Sequence, residues 1–172
     1  MNKLELLKQL SLLRKNPLYE QIGQLSDDFC DRLVKYADTS DNNILESLST
    51  RYANAPRDIN EDPTSIEENY VQVFLNKQLT KEIEDVLEIK TSQLRIGIMK
   101  PQFGLDWHLD FDPVARLHCD LNSPSDFLFK IHNNIQRLDK EKGQVYKINV
   151  AHYHKVYNYS DTTRYALIGG ID

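Results

Sequence analysis

Apolar positions keep a helical period in the first half of the chain and change near residue 90 to short alternating runs. Leu4, Leu6, Leu7, Leu10, Leu12 and Leu13 predict an amphipathic surface helix over Met1 to Lys15, ending near Asn16-Pro17 because the residue before a proline disfavours helical geometry. Leu18 to Leu25 predicts a first strand. Ser26 then reads as an N-cap, with Asp27 and Asp28 where negative charge suits the helix dipole and Phe29, Leu33 and Tyr36 at helical spacing, so a helix is expected over 27–37. Residues 38–64 are polar and broken by Pro56 and Pro63, a long irregular connection that fits either a substrate lid or a plain surface loop. Ser65-Ile66-Glu67-Glu68 has the capping-box spacing, and Val71, Phe74, Leu75, Leu79, Ile83, Val86 and Leu87 follow at the 3.6-residue period. The expectation is one long helix to about Glu88, lying across a sheet as scaffold.

From Thr91 the pattern predicts strands at 94–99, 108–110, 116–121, 127–132, 144–150, 154–157 and 164–168, separated by turns rich in Pro, Gly, Asn and Ser. The last two read as a hairpin closed by residues 159–163. Helices first and an all-β region afterwards make a mainly β fold with N-terminal helices, of sandwich or barrel type. The length fits a single domain over 1–172, with mostly helical support in 1–90 and the β core in 91–172.

Composition changes this picture little. The chain is 40 % hydrophobic and 27 % charged, ordinary for a globular protein, and its net charge of -5 argues against nucleic acid and anionic membrane surfaces as partners. Charges at Lys3, Glu5, Lys8 and Arg14 interrupt the leucines of the N-terminus, so a secretion signal is not expected, and no apolar run reaches the length of a membrane span. Cys30 and Cys119 form no disulfide framework, and the expectation is reduced thiols in a cytoplasmic protein.

The histidines do change it, because all five lie between residues 108 and 154. In Asp106-Trp107-His108-Leu109-Asp110, an extended backbone puts His108 and Asp110 on one face. With one later histidine they make a 2-His-1-carboxylate facial triad, a ligand set suited to non-haem iron(II) with positions left open. His152 and His154 share a face and compete for that third place, while His132 reads as a surface or core residue. Alternation also puts Arg116 and His118 on one face of their strand, opposite Leu117, Cys119 and Leu121. That polar face either lines a cavity and meets a dicarboxylate or is simply solvated. In the expected final hairpin Arg164 shares the face of His154, roughly 13 Å away at about 3.3 Å per residue. A five-carbon dicarboxylate bound at a metal would span that gap to the planar fork of an arginine.

Taken in order, His108-Leu-Asp110, Arg116-Leu-His118, Gly143-Gln-Val-Tyr-Lys-Ile-Asn149 and His154-Lys-Val-Tyr-Asn158, with Arg164 ten positions after the histidine, resemble the iron(II)- and 2-oxoglutarate-dependent dioxygenases. The nearest branch is the aspartyl/asparaginyl β-hydroxylases and the small proline hydroxylases, and the resemblance covers about residues 91–170. It implies a double-stranded β-helix (jelly-roll, cupin-like) core that brings His108, Asp110 and His154 together on Fe(II). It implies His154 rather than His152 as the ligand, Arg164 on the distal carboxylate of 2-oxoglutarate, and Arg116 and His118 helping to hold the same co-substrate. The implied activity is hydroxylation of an amino acid, free or peptidyl (Asp, Asn or Pro type), with O2 consumed and succinate and CO2 formed. A cupin-like domain that binds a metal or small ligand without turnover is the alternative. Repair of nucleic-acid lesions by the same chemistry is disfavoured, since the position of a second arginine holds Gly170 and the chain is acidic. Substrate identity and oligomeric state are written in no motif of the chain.

Overall fold

The structure, a computed structural model, describes residues 11–12, 14–40, 69–110, 115–123 and 125–171. In chain order its elements are strand β1 (Tyr19–Gln24), helix α1 (Asp27–Thr39), strand β2 (Tyr70–Phe74), helix α2 (Lys77–Leu87), and strands β3 (Thr91–Met99), β4 (Gly104–His108), β5 (Arg116–Asp120), β6 (Asp126–Ile131), β7 (Asn134–Leu138), β8 (Gln144–Ile148), β9 (Tyr153–Tyr157) and β10 (Arg164–Ile171). They form a six-stranded sheet in the order β1-β8-β5-β10-β3-β2 and a four-stranded sheet in the order β4-β9-β6-β7. Every pairing is antiparallel. From β3 onward the chain passes repeatedly between the two sheets, which is the expected double-stranded β-helix or jelly roll.

Alternation along the strands gives each sheet its two faces. Leu94, Ile96, Leu117, Cys119, Leu121 and Leu167 turn to the helices and pack with Phe29, Leu33, Leu79, Ile83 and Leu87. On the other face Met99, Tyr146 and Ile148 meet Leu105, Phe127, Phe129 and Val156 of the four-stranded sheet. The protein is thus layered as helices, large sheet and small sheet. The two cysteines sit buried in the helix-facing layer with free thiols. Among the described residues no helix is long and apolar enough to cross a membrane.

The caps follow the sequence. Ser26 caps α1, its side chain accepting from the Phe29 amide, and Asn76 caps α2 by accepting from the Leu79 amide at 2.9 Å. Asn76 marks the first correction. The long helix expected to reach Glu88 is instead a strand, β2, followed by a shorter helix; its proposed start at Ser65 lies outside the described residues. The β-branched Val71 and Val73 occupy the open edge of β3, from Tyr70 opposite Met99 to Phe74 opposite Arg95, and that pairing overrides the helical period. The N-terminal half, expected to be mostly helical support, therefore supplies both edge strands of the large sheet. The opening helix is described only at Ser11 and Leu12, which are helical, and residues 41–64 of the possible lid lie outside the described residues.

Two further corrections concern the β region. β7 is absent from the expected elements because it lies on the surface with only Leu138 buried, so its residues carry little apolar pattern. The expected final hairpin does not form. β9 belongs to the small sheet and β10 to the large one, and residues 158–163 cross between them. Asn158, fully buried, holds the crossing: its Nδ2 donates to the carbonyls of Met99, Lys100 and Thr162, and its Oδ1 accepts from the amide and hydroxyl of Ser160.

Gly104 opens the β4–β9 pairing opposite Tyr157, and a Cβ there would lie 2.7 Å from the Val156 carbonyl oxygen and 2.5 Å from the Tyr157 ring. Gly104→Ala is expected to destabilise the fold by about 1–3 kcal/mol through overpacking, read as a lower urea midpoint. An unchanged midpoint would show that β4 and β9 pack less closely than described.

Candidate metal centre and anion site

The β4–β9 pairing sets His108 directly opposite His154, with ring centroids 4.2 Å apart. Both rings are buried and held in the same way. His108 Nδ1 meets the carbonyl oxygen of Asp106, and His154 Nδ1 meets that of His152 at 3.0 Å. A carbonyl only accepts, so each Nδ1 carries the proton and each Nε2 keeps its lone pair. A carbonyl acceptor on one ring nitrogen is what fixes a histidine to offer the other to a metal. Asp110, just beyond the end of β4, brings Oδ1 to 4.0 Å from His108 Nε2. One potential ligand atom from each of His108, Asp110 and His154 lies within 4.8 Å of the others.

The electrostatics favour the ligand forms of Asp110 and His154. Burial pushes the Asp110 carboxyl up, but the neighbouring His154, His108 and Arg116 outweigh it and hold the group at about 2. Burial and the neighbouring His108 push His154 down to about 4. A carboxylate and two imidazoles are a donor set that fits a divalent first-row metal. His152, the competing histidine, contributes its backbone carbonyl to His154 rather than its ring. His132 lies exposed in the β6–β7 turn.

The large sheet supplies the other half of the site. Arg116, expected on the same strand face as His118, donates through Nε to Asp110 Oδ2 at 3.0 Å. Arg164 is 1 % exposed, and its Nε and Nη2 both donate to Asp120 Oδ1, at 3.0 and 2.7 Å. The other oxygen, Oδ2, takes Lys140 Nζ at 2.6 Å and the Ser125 amide at 2.9 Å. His118 bridges the two basic side chains, with Nε2 at 3.0 Å from Arg164 Nη2 and Nδ1 at 3.3 Å from Lys140 Nζ. These cations hold Asp120 well below the usual carboxylate range despite its burial, whereas burial and the Lys140 charge push His118 well below its ordinary value. Phe127 joins the two halves: its ring stacks on His154 at 5.4 Å and meets the His118 ring at 5.1 Å and Lys140 Nζ at 5.6 Å.

Sequence reasoning left out Asp120, Lys140, Ser125 and Phe127. Asp120 was within reach, since it continues the alternation of Arg116 and His118 along one face of β5. Lys140 follows β7 in an irregular stretch, and nothing in its neighbours distinguishes it.

Residues 64–171 match the aspartyl/asparaginyl β-hydroxylase family. The chain belongs to that family. It is accordingly an oxygenase of the hydroxylase type, with the antiparallel β fold of such enzymes. Among solved structures it is similar to a prolyl hydroxylase from Trichoplax adhaerens in complex with a peptide fragment of the hypoxia inducible factor oxygen degradation domain, at 10 % identity and a TM-score of 0.62, covering 99 % of this chain and 93 % of that one. It is similar too to a prolyl-4-hydroxylase from Pseudomonas putida, at 12 % identity and a TM-score of 0.56, covering 96 % and 97 %. A non-heme monooxygenase in complex with nickel aligns at 14 % identity and a TM-score of 0.51, covering 93 % and 75 %. At these identities the likeness is one of fold. None of the curated proteins matches the sequence.

The depressed His154 value makes metal-free stability depend on pH. The ring binds a proton more weakly folded than unfolded, so stability is complete above its ordinary value of 6.5 and falls as pH drops toward about 4. The fall is expected to reach about 3 kcal/mol in urea unfolding of metal-free protein, and His154→Gln should lack that contribution. Equal slopes in the two proteins would rule it out.

Proposed function

We propose that this family member is an iron(II)- and 2-oxoglutarate-dependent hydroxylase in which His108, Asp110 and His154 hold the iron. The observation that carries the reading is one potential ligand atom from each of His108, Asp110 and His154 within 4.8 Å of the others, with Phe127 stacked on His154 and touching His118, the neighbour of buried Arg164. When bound, iron(II) with O2 supplies the oxidation, 2-oxoglutarate being converted to succinate and CO2 as one oxygen atom enters a C–H bond of an amino acid, free or peptidyl, of the Asp, Asn or Pro type. A peptide substrate gains support from the similar prolyl hydroxylase solved with a peptide.

The roles of the chain's own groups follow from their contacts. The Asp106 and His152 carbonyls orient the two imidazoles, and Arg116 orients Asp110 while keeping it ionised. Arg164 and Lys140 converge on a single carboxylate, Asp120, which leaves positive charge to be met by a second one. The distal carboxylate of 2-oxoglutarate fills that need, with Arg164 and His118 as its donors. Phe127 and the apolar residues between the sheets keep water away and strengthen these interactions. The alternative of a cupin-like domain without turnover gives no account of three basic side chains gathered beside the triad.

Anaerobic addition of iron(II) and 2-oxoglutarate should produce the visible charge-transfer band of the chelate, and His108→Ala should abolish it. Absence of the band in the unaltered protein, together with no succinate from any amino acid or Asp-, Asn- or Pro-containing peptide, would sink the proposal. Arg164→Gln should raise the KM for 2-oxoglutarate about 10- to 150-fold, the worth of about 1.5–3 kcal/mol for a charged hydrogen bond, and leave iron(II) affinity nearly unchanged. An unaltered KM would remove Arg164 from the co-substrate site.

A further inference from the structure

The protons around His118 do not add up if every basic group is charged. A neutral imidazole has one N–H and one lone pair, and an arginine only donates. Arg164 Nη2 lies 3.0 Å from His118 Nε2, so Nε2 must hold the lone pair and Nδ1 the proton. That Nδ1–H points at Lys140 Nζ, 3.3 Å away, and must be accepted there. Only an uncharged amine has a lone pair to accept it. Lys140 keeps two hydrogens, which serve Asp120 Oδ2 at 2.6 Å and Ser125 Oγ at 3.2 Å. With an ammonium in its place, His118 would accept at Nδ1 and carry its proton on Nε2, turning two donors toward each other across 3.0 Å. A carboxylate that accepts from both Arg164 and His118 Nε2 removes that conflict.

We propose that Lys140 is a positioning residue through which the site binds its carboxylate together with one proton. Above about pH 8, before the anion binds, Lys140 is an amine and His118 carries its proton on Nδ1. As the anion docks, the Nδ1 proton passes to Nζ, a proton from solvent is taken up at Nε2, and the new Nε2–H donates to the carboxylate. One proton enters and no bond other than N–H forms or breaks. The inference rests on the reading that 2-oxoglutarate occupies this site, and it adds the proton and the residue that carries it.

The surroundings of Lys140 fit this role. Its side chain is shut off from water, facing Asp120, His118 and, behind them, the Cys119 thiol on β5, Arg164 on β10, and the Phe127 ring on β6. Burial, opposed by Asp120 and reinforced by the charge of Arg164, pulls the amine down to about 8. A second anion beside it raises that value, and the difference is the proton taken up.

The test is calorimetry of manganese(II)-loaded protein titrated with 2-oxoglutarate at pH 6.5, 8 and 9, in buffers of different ionisation enthalpy. Uptake should be small at pH 6.5, about half a proton at pH 8 and about 0.9 at pH 9, with affinity falling about tenfold per pH unit above 8. Lys140→Met leaves Arg164 paired with Asp120, so the site stays balanced; its uptake should be near zero and its affinity weaker and flat with pH. Uptake in the unaltered protein that equals the variant's, or that stays flat from pH 6.5 to 9, overturns the proposal and leaves the co-substrate reading standing. The unaltered protein's profile decides by itself should the variant not fold. No binding heat at any pH overturns the co-substrate reading and this inference with it.

Discussion

Asp120 is a carboxylate with no exposure to water, and the arrangement of the site follows from keeping it paired. Removing one member of a buried ion pair costs about 3–5 kcal/mol, so Arg164 and Lys140 are confined to places where both reach it. Arg164 is drawn in from the start of β10, Lys140 from beyond β7, and the Ser125 amide from the turn before β6. Segments distant in sequence and drawn from both sheets therefore converge on one pair of oxygens. His118, caught between the two basic side chains, has its tautomer set by whether Lys140 is charged.

The two sheets divide the chemistry. The small sheet carries His108 and His154 on adjacent strands, and its backbone carbonyls fix which nitrogen of each ring carries the proton. The large sheet carries Arg116, His118, Asp120 and Arg164 on β5 and β10, strands that pair directly. Asp110 stands at the seam: it follows β4 of the small sheet, is oriented by Arg116 of the large one, and faces the two imidazoles. Neither sheet alone makes a site. The space between them does, with Phe127 as the wall that the candidate metal centre and the candidate anion site share.

This division explains what was legible in the chain. A period of two residues encodes faces, so Arg116 and His118 were separable from Leu117 and Cys119 by inspection, and the same alternation would have yielded Asp120. The caps at Ser26 and Asn76 are local hydrogen bonds, visible in the residues that make them, although Asn76 was passed over in favour of a longer helical period. That period failed at Tyr70–Phe74 because an open sheet edge offers backbone partners along the whole segment, and a helical pattern says nothing about whether such an edge exists.

The sequence by itself determined the chemical types and their faces: two histidines and an aspartate able to hold a metal, basic residues suited to a carboxylate, and a β core behind helices. Only the tertiary structure decided which sheet each strand joined. It separated His154 from Arg164 into facing sheets instead of one hairpin, turned Arg116 onto Asp110, and brought Lys140 to Asp120. The reason is that alternation and capping are set by neighbours a few residues apart. Strand partners and buried charge pairs are set by contacts between distant segments, where an unpaired carboxylate or an open edge costs more than any local preference returns.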